Sequence, residues 1–182
     1  MRRVTILGAG LAGCEAALQL AARGVTVTLI EAKPAKVEPA VYHLDGPAEL
    51  VCSNSLKSES DATPSYQLKE ECRIAGSFLL RAADTVKVPA GESLAVDRDR
   101  FSEATLGLLA AEPGITYMQN TAVDSLDALR ERFAADLYIV ATGPLTSPRL
   151  LASLSADNHY FYDAIAPIVS AEGLDLTKLF WA

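Results

Sequence analysis

RVTILGAGLAGCEAALQLAARGVTVTLIE, running from Arg3 to Glu31, is the stretch that decides the fold. Arg3 to Leu7 is a short apolar run that stops at Gly8, which predicts a buried strand. Leu11 to Arg23 carries Ala16, Ala17, Leu20 and Ala21 at helical spacing and meets Gly24 as a stop signal, so a helix is expected. Val25 to Ile30 alternates β-branched and apolar residues and predicts a second strand, with Glu31 at its end. Strand, helix and strand in this order make a β-α-β unit. Such a unit implies an α/β protein with a parallel sheet covered by helices.

Between the first strand and the helix lies Gly8-Ala9-Gly10-Leu11-Ala12-Gly13, a GxGxxG spacing. The first glycine allows a tight strand-to-helix turn, the second lets backbone approach a pyrophosphate, and the third lets helix and strand pack closely. The helix N-terminus would then receive phosphate. Glu31 follows Gly8 by 23 positions, where an acid accepts hydrogen bonds from an adenosine ribose. That favours FAD or NAD over NADP, against the competing reading of a glycine turn that binds nothing. The fold expected is therefore a Rossmann-like FAD/NAD(P)-binding fold. Ala141-Thr142-Gly143 follows the apolar run Leu137 to Val140, and a small-residue turn there lets backbone pass close to a cofactor. Flavoproteins of this fold commonly carry such a turn, so Thr142 and Gly143 shift the expectation from NAD toward FAD. Arg98, just after an expected strand Ser93 to Val96, is either a phosphate partner or a solvated charge among Asp97, Asp99 and Arg100.

Lys33 to Pro64 breaks this regularity with Pro34, Pro39, Pro47 and Pro64 and a cluster of serines, which predicts a long functional loop. Cys52 sits inside it. A loop cysteine beside hydroxyls and an amide is a candidate nucleophile if its pKa is lowered, yet an inert buried thiol is the commoner outcome on chemistry alone. The sequence sets no base next to it: His43 is nine residues upstream and Lys57 is the nearest cation in the chain. Beyond the loop, one helix is expected from about Ser65 to Val86, with Leu68, Cys72, Ala75, Leu79 and Ala82 down its buried face. Asp97 or Asp99 would cap a further helix, Phe101 to Ala111. Ile115 to Met118, Ala122 to Leu126, Leu137 to Val140 and Asp163 to Val169 read as strands, and Arg130 to Arg132 as a solvated helix face. His159 to Asp163 is an aromatic cluster better explained by core packing than by stacking on a ligand. Cys14, at the start of the first helix, is expected to be structural.

Length and composition bound what else the chain can be. Its 182 residues are 50% hydrophobic and 21% charged, enough for a buried core and far from disorder. A formal charge of −7 gives no general attraction to phosphate backbones. Three cysteines make no even disulfide framework, and two histidines furnish no His-rich metal site. Met1-Arg2-Arg3 and the apolar residues after it imitate a secretory signal, but Gly8 and Gly10 interrupt the run and Glu15 follows Cys14. No apolar run approaches the ~18 residues of a membrane span, and a cytoplasmic protein is expected. Neither an internal repeat nor a linker divides residues 1–182, which read as one cofactor-binding unit without a second complete domain.

Five stretches together resemble one family. They are GAGLAGCEAA (Gly8 to Ala17), AELVCSNSLKS (Ala48 to Ser58), VPAGESLAVDRDRF (Val88 to Phe101), IVATGPLTS (Ile139 to Ser147) and YFYDAIAPIV (Tyr160 to Val169). In this order they are similar to the folate- and FAD-dependent tRNA (uracil-5-)-methyltransferases of bacteria. The resemblance implies that methylenetetrahydrofolate gives a one-carbon unit to the T-loop uridine of tRNA, that reduced FAD completes the methyl group, and that NAD(P)H re-reduces the flavin. It implies a catalytic role for Cys52 and places Gly8, Gly10, Gly13, Glu31, Arg98, Thr142 and Gly143 around FAD. Two departures stand out. Tyr42-His43 occupies the place of a histidine pair, and family chains are more than twice as long. The resemblance thus implies an incomplete fold with an open sheet edge, inviting self-association or a complementary polypeptide, and weakened tRNA binding. A shortened flavin- or nucleotide-binding module without methylation is the alternative, followed by the related FAD-dependent wobble-uridine modification protein.

Overall fold

The computed structural model describes residues 2–34, 42–144 and 146–154. The first half of the chain runs β1 (Arg3–Leu7), α1 (Leu11–Ala21), β2 (Thr26–Ile30), β3 (Ser55–Ser58), α2 (Pro64–Ile74) and α3 (Phe78–Thr85). Then come β4 (Lys87–Val88), β5 (Ser93–Val96), α4 (Arg98–Ala111), β6 (Ile115–Met118), α5 (Leu126–Arg132), β7 (Leu137–Val140) and α6 (Pro148–Leu154). Four of the strands pair in parallel in the order β6-β2-β1-β7, the Rossmann-like arrangement expected from Arg3 to Glu31. A second, antiparallel sheet has the order β3-β5-β4.

Side-chain alternation along the parallel strands sorts two cores. Val4 and Ile6 of β1 and Val27 and Leu29 of β2 join Cys14, Ala17, Leu18 and Ala21 of α1 in the main core, which also takes Leu79, Leu94, Phe101 and Leu109. Leu7 and Ile30 point to the other face and meet Val123, Leu129 and Leu150 under α5 and α6. Both faces are therefore covered, as a parallel sheet requires. A fully buried leucine such as Leu18 contributes about 2 kcal/mol by leaving water, so this packing rather than helix propensity holds α1 in place.

Three expectations are corrected. The single helix Ser65 to Val86 is two helices. Gly76, at φ +80°, ends α2 in a left-handed turn in which Ser77 N–H reaches Cys72 O and Gly76 N–H reaches Arg73 O. Ser77 then caps α3 by accepting from Leu80 N–H. The apolar stripe holds only in α3, where Leu79 and Ala82 are buried; in α2 Leu68 is exposed, Cys72 is only half-buried, and the buried residue is Lys69. Ala122 to Leu126 is not a strand. Ser125 accepts from Ala128 N–H and caps α5, while Val123 turns inward and Leu126 packs partly against the same core. Finally, the loop from Lys33 to Pro64 contains β3, which pairs with β5. The expected strand Asp163 to Val169 and the aromatic cluster His159 to Asp163 lie outside the described residues.

Candidate dinucleotide site at the strand ends

Parallel register brings the separate motifs to one place. Leu7 pairs with Ile30 on one side and Val140 on the other, so Gly8, Glu31 and Ala141 emerge side by side at the carboxyl ends of adjacent strands. Gly8 N–H donates to Ile30 O and Ala141 N–H to Leu7 O, both at 2.8 Å. Ligands of open α/β sheets bind at such strand ends, where connections leave β1 in opposite directions.

Two of the three glycines are required by packing. Gly8 has φ +101°, and a Cβ on it would lie 2.6 Å from Ala141 O and 2.9 Å from Thr142 Cα. A Cβ on Gly13 would meet Gly8 O at 1.8 Å. Gly10 differs, since nothing lies within 4 Å of its Cβ position and its backbone borders open space. It also caps α1 without a side chain, and the first turn carries no acid, so the early N–H groups of α1 are available to an anion. Leu11 packs on the core and Ala12 is exposed.

Glu31 is only 9% exposed, and its carboxylate is already engaged: Oε2 accepts from Ala9 N–H at 2.9 Å and Oε1 from Lys33 N–H at 3.0 Å. A carboxylate has about four acceptor positions, which leaves capacity for ribose hydroxyls. Ala9 O accepts from Ala48 N–H and from the Cys14 thiol. Burial pushes that thiol up to about 12, so Cys14 is a structural donor and not a nucleophile.

Asn54 and Val96, far apart in the chain, meet at the end of the small sheet. Ser55 pairs antiparallel with Ala95, Val96 N–H donates to Asn54 O, and Asn54 Nδ2 donates to Val96 O. Asp97 caps α4 by accepting from Arg100 N–H, which makes Arg98 the first helical residue. The Arg98 Nε is buried without a hydrogen-bond partner, unlike the solvated charges Asp99 and Arg100. An orphaned buried guanidinium N–H is a costly group that an anion would satisfy. One helical turn on, Ser102 donates to Pro47 O, tying α4 to the loop that touches Ala9.

Thr142 and Gly143 sit at the end of β7. The Thr142 hydroxyl pairs with that of Thr146 at 2.6 Å, and Gly143, at φ +70°, borders open space. Cys52 is half-buried, and His43 is exposed with its backbone N–H donated to Glu49. Sequence reasoning missed Lys33, Glu49 and Lys69. Lysines and glutamates in a polar loop and on a helix carry no periodic signal of burial.

Glycine turn, strand-end acid and small-residue turn define a dinucleotide-binding α/β protein, and the sequence comparisons narrow this class. Residues 3–182 match the family model described as glucose inhibited division protein A, and the chain belongs to that family. It is 52% identical over 182 residues to a Pelobacter propionicus protein named methylenetetrahydrofolate--tRNA-(uracil-5-)-methyltransferase TrmFO, covering 98% of this chain and 38% of the relative. The protein of the same name from Geobacter sulfurreducens is 49% identical, with 98% and 40% covered. Among solved structures, the GidA-related protein from Thermus thermophilus matches with a TM-score of 0.36 at 23% identity, over 68% of this chain and 40% of that one. The chain thus spans about two fifths of the length of the curated relatives it matches.

Proposed function

We propose that residues 1–182 form the FAD-binding part of a folate-dependent tRNA (uracil-5-)-methyltransferase. The observation that carries this reading is the convergence of the glycine turn, Glu31, the Ala141-Thr142-Gly143 turn and the Cys52 loop on one end of the parallel sheet. The name shared by relatives about half identical to the chain supports it.

In this reading the amides of the first turn of α1 and the Arg98 guanidinium bind the diphosphate. Glu31 accepts from the adenosine ribose, and Thr142 and Gly143 let backbone approach the cofactor. Reduced FAD supplies the two electrons that turn a one-carbon unit from methylenetetrahydrofolate into a methyl group, and NAD(P)H restores it. Cys52 presents a thiol for covalent chemistry at the uracil site. The partner is tRNA and the setting cytoplasmic. Among the described residues no helix is long and apolar enough to cross a membrane.

Flavin absorbance of the purified chain, with FAD titration, tests the first part. Uptake of FAD is expected, and a colourless protein that takes up none sinks the reading. Uridine methylation is then assayed with Cys52→Ala as control. The variant should keep FAD and lose methylation. FAD uptake without methylation by the unaltered chain would favour the alternative, a flavin-binding module.

A further inference from the structure

The ion pair between Lys33 Nζ and Glu49 Oε2, at 2.7 Å, is the most buried one among the described residues, with side-chain exposures of 7% and 2%. We propose that Lys33 and Glu49 are positioning residues that hold the Cys52 loop against the dinucleotide end of the sheet.

Glu49 Oε1 accepts from His43 N–H at 2.7 Å and from Leu44 N–H at 3.3 Å. The Lys33 ammonium also donates to Gly46 O at 2.9 Å and lies over the Tyr42 ring. Between them the two side chains therefore pin the turn from residue 42 to residue 49 at its start, middle and end. That turn then delivers Ala48 N–H to Ala9 O and Pro47 O to Ser102. Cys52 follows Glu49 by three residues. On its other side, Lys33 N–H donates to Glu31, whose second oxygen accepts from Ala9 N–H. One hydrogen-bonded chain thus joins the glycine turn, the ribose-side acid and the base of the Cys52 loop.

Stability alone does not explain such a pair. Two buried charges lose their hydration, and well-packed apolar residues of similar volume are often as stable. What the charges add is direction. Four fixed polar contacts, the Lys33–Glu49 pair, Lys33 Nζ to Gly46 O, and the His43 and Leu44 N–H groups to Glu49, give the loop one geometry where apolar packing would allow several.

The test separates position from stability. In the double variant Lys33→Met/Glu49→Leu no charge is orphaned, so it should still fold, with a melting temperature lowered by the loss of partners for Gly46 O and the His43 and Leu44 N–H groups. The readout is site-resolved alkylation by iodoacetamide, followed by peptide mass spectrometry in the absence of ligand, with Cys14 and Cys72 as internal controls. Cys52 should react faster by about fivefold or more while the controls hold constant. A folded double variant whose Cys52 reacts within about twofold of the parent overturns the proposal. If the double variant does not fold, Glu49→Asp keeps the charge but cannot span Lys33 and the His43 and Leu44 amides together. The same two outcomes then decide. The proposal draws on the assigned role of Cys52, yet a parallel FAD titration of the parent reports on the flavin reading by itself. Failure to bind FAD would sink that reading and leave the alkylation ratio to judge the pair.

Discussion

At the residue scale, Gly10 and Gly13 look alike in the sequence and differ in three dimensions. A methyl on Gly13 would overlap Gly8 O at 1.8 Å, and both atoms belong to rigid backbone at the strand-to-helix turn. Gly13→Ala should therefore cost about 3 kcal/mol or more, read by chemical denaturation. Gly10 has an ordinary φ of −71° and open space around its Cβ position. Gly10→Ala should change stability by less than about 1 kcal/mol. Under the proposed function it should nonetheless weaken FAD binding, because the methyl would enter the open space assigned to phosphate. Equal losses of stability in the two variants would contradict this assignment. Both glycines were legible in the GxGxxG spacing. Which one is required by packing and which faces open space was not, because it depends on what stands opposite each Cα.

At the element scale, the breaks and caps mattered more than the apolar stripes. Residues 65 to 86 read as one helix because apolar residues recur at helical spacing across Ala75-Gly76-Ser77, yet Gly76 and the Ser77 cap divide it. Glu15 of α1 completes α3 from outside its own segment, accepting from Ser77 Oγ, Phe78 N–H and Leu79 N–H. Burial pushes its carboxyl upward, but hydrogen bonds from Gln19, Leu79, Phe78 and Ser77 outweigh this and hold it below the ordinary 4.5. Its stabilisation is therefore present above that pH and is lost as pH falls through the folded value. Glu15→Gln should cost about 1 kcal/mol near neutral pH and flatten the acid limb of a stability–pH curve. A variant with the parent's acid limb would refute the assignment. Lys69 clamps α2 to β3 through the carbonyls of Leu56, Ser58 and Ser65. Lys69→Met leaves these acceptors without their donor and should cost about 1–3 kcal/mol in urea denaturation. An unchanged midpoint would show that water replaces the ammonium freely.

At the scale of the whole molecule, the described sheet ends on β6 and β7, and Leu137 of β7 is 56% exposed. The sequence by itself determined the β-α-β start, the glycine turn, the acid at the end of β2 and the small turn after β7. Each of these is written in local periodicity or in a residue type with a single backbone use. Tertiary structure alone decided that Asn54 and Val96 pair and that Lys33 and Glu49 meet inside the protein. Those contacts join residues distant in sequence across two sheets. Nothing in the local pattern of a polar loop records which charge will be buried or what will face it.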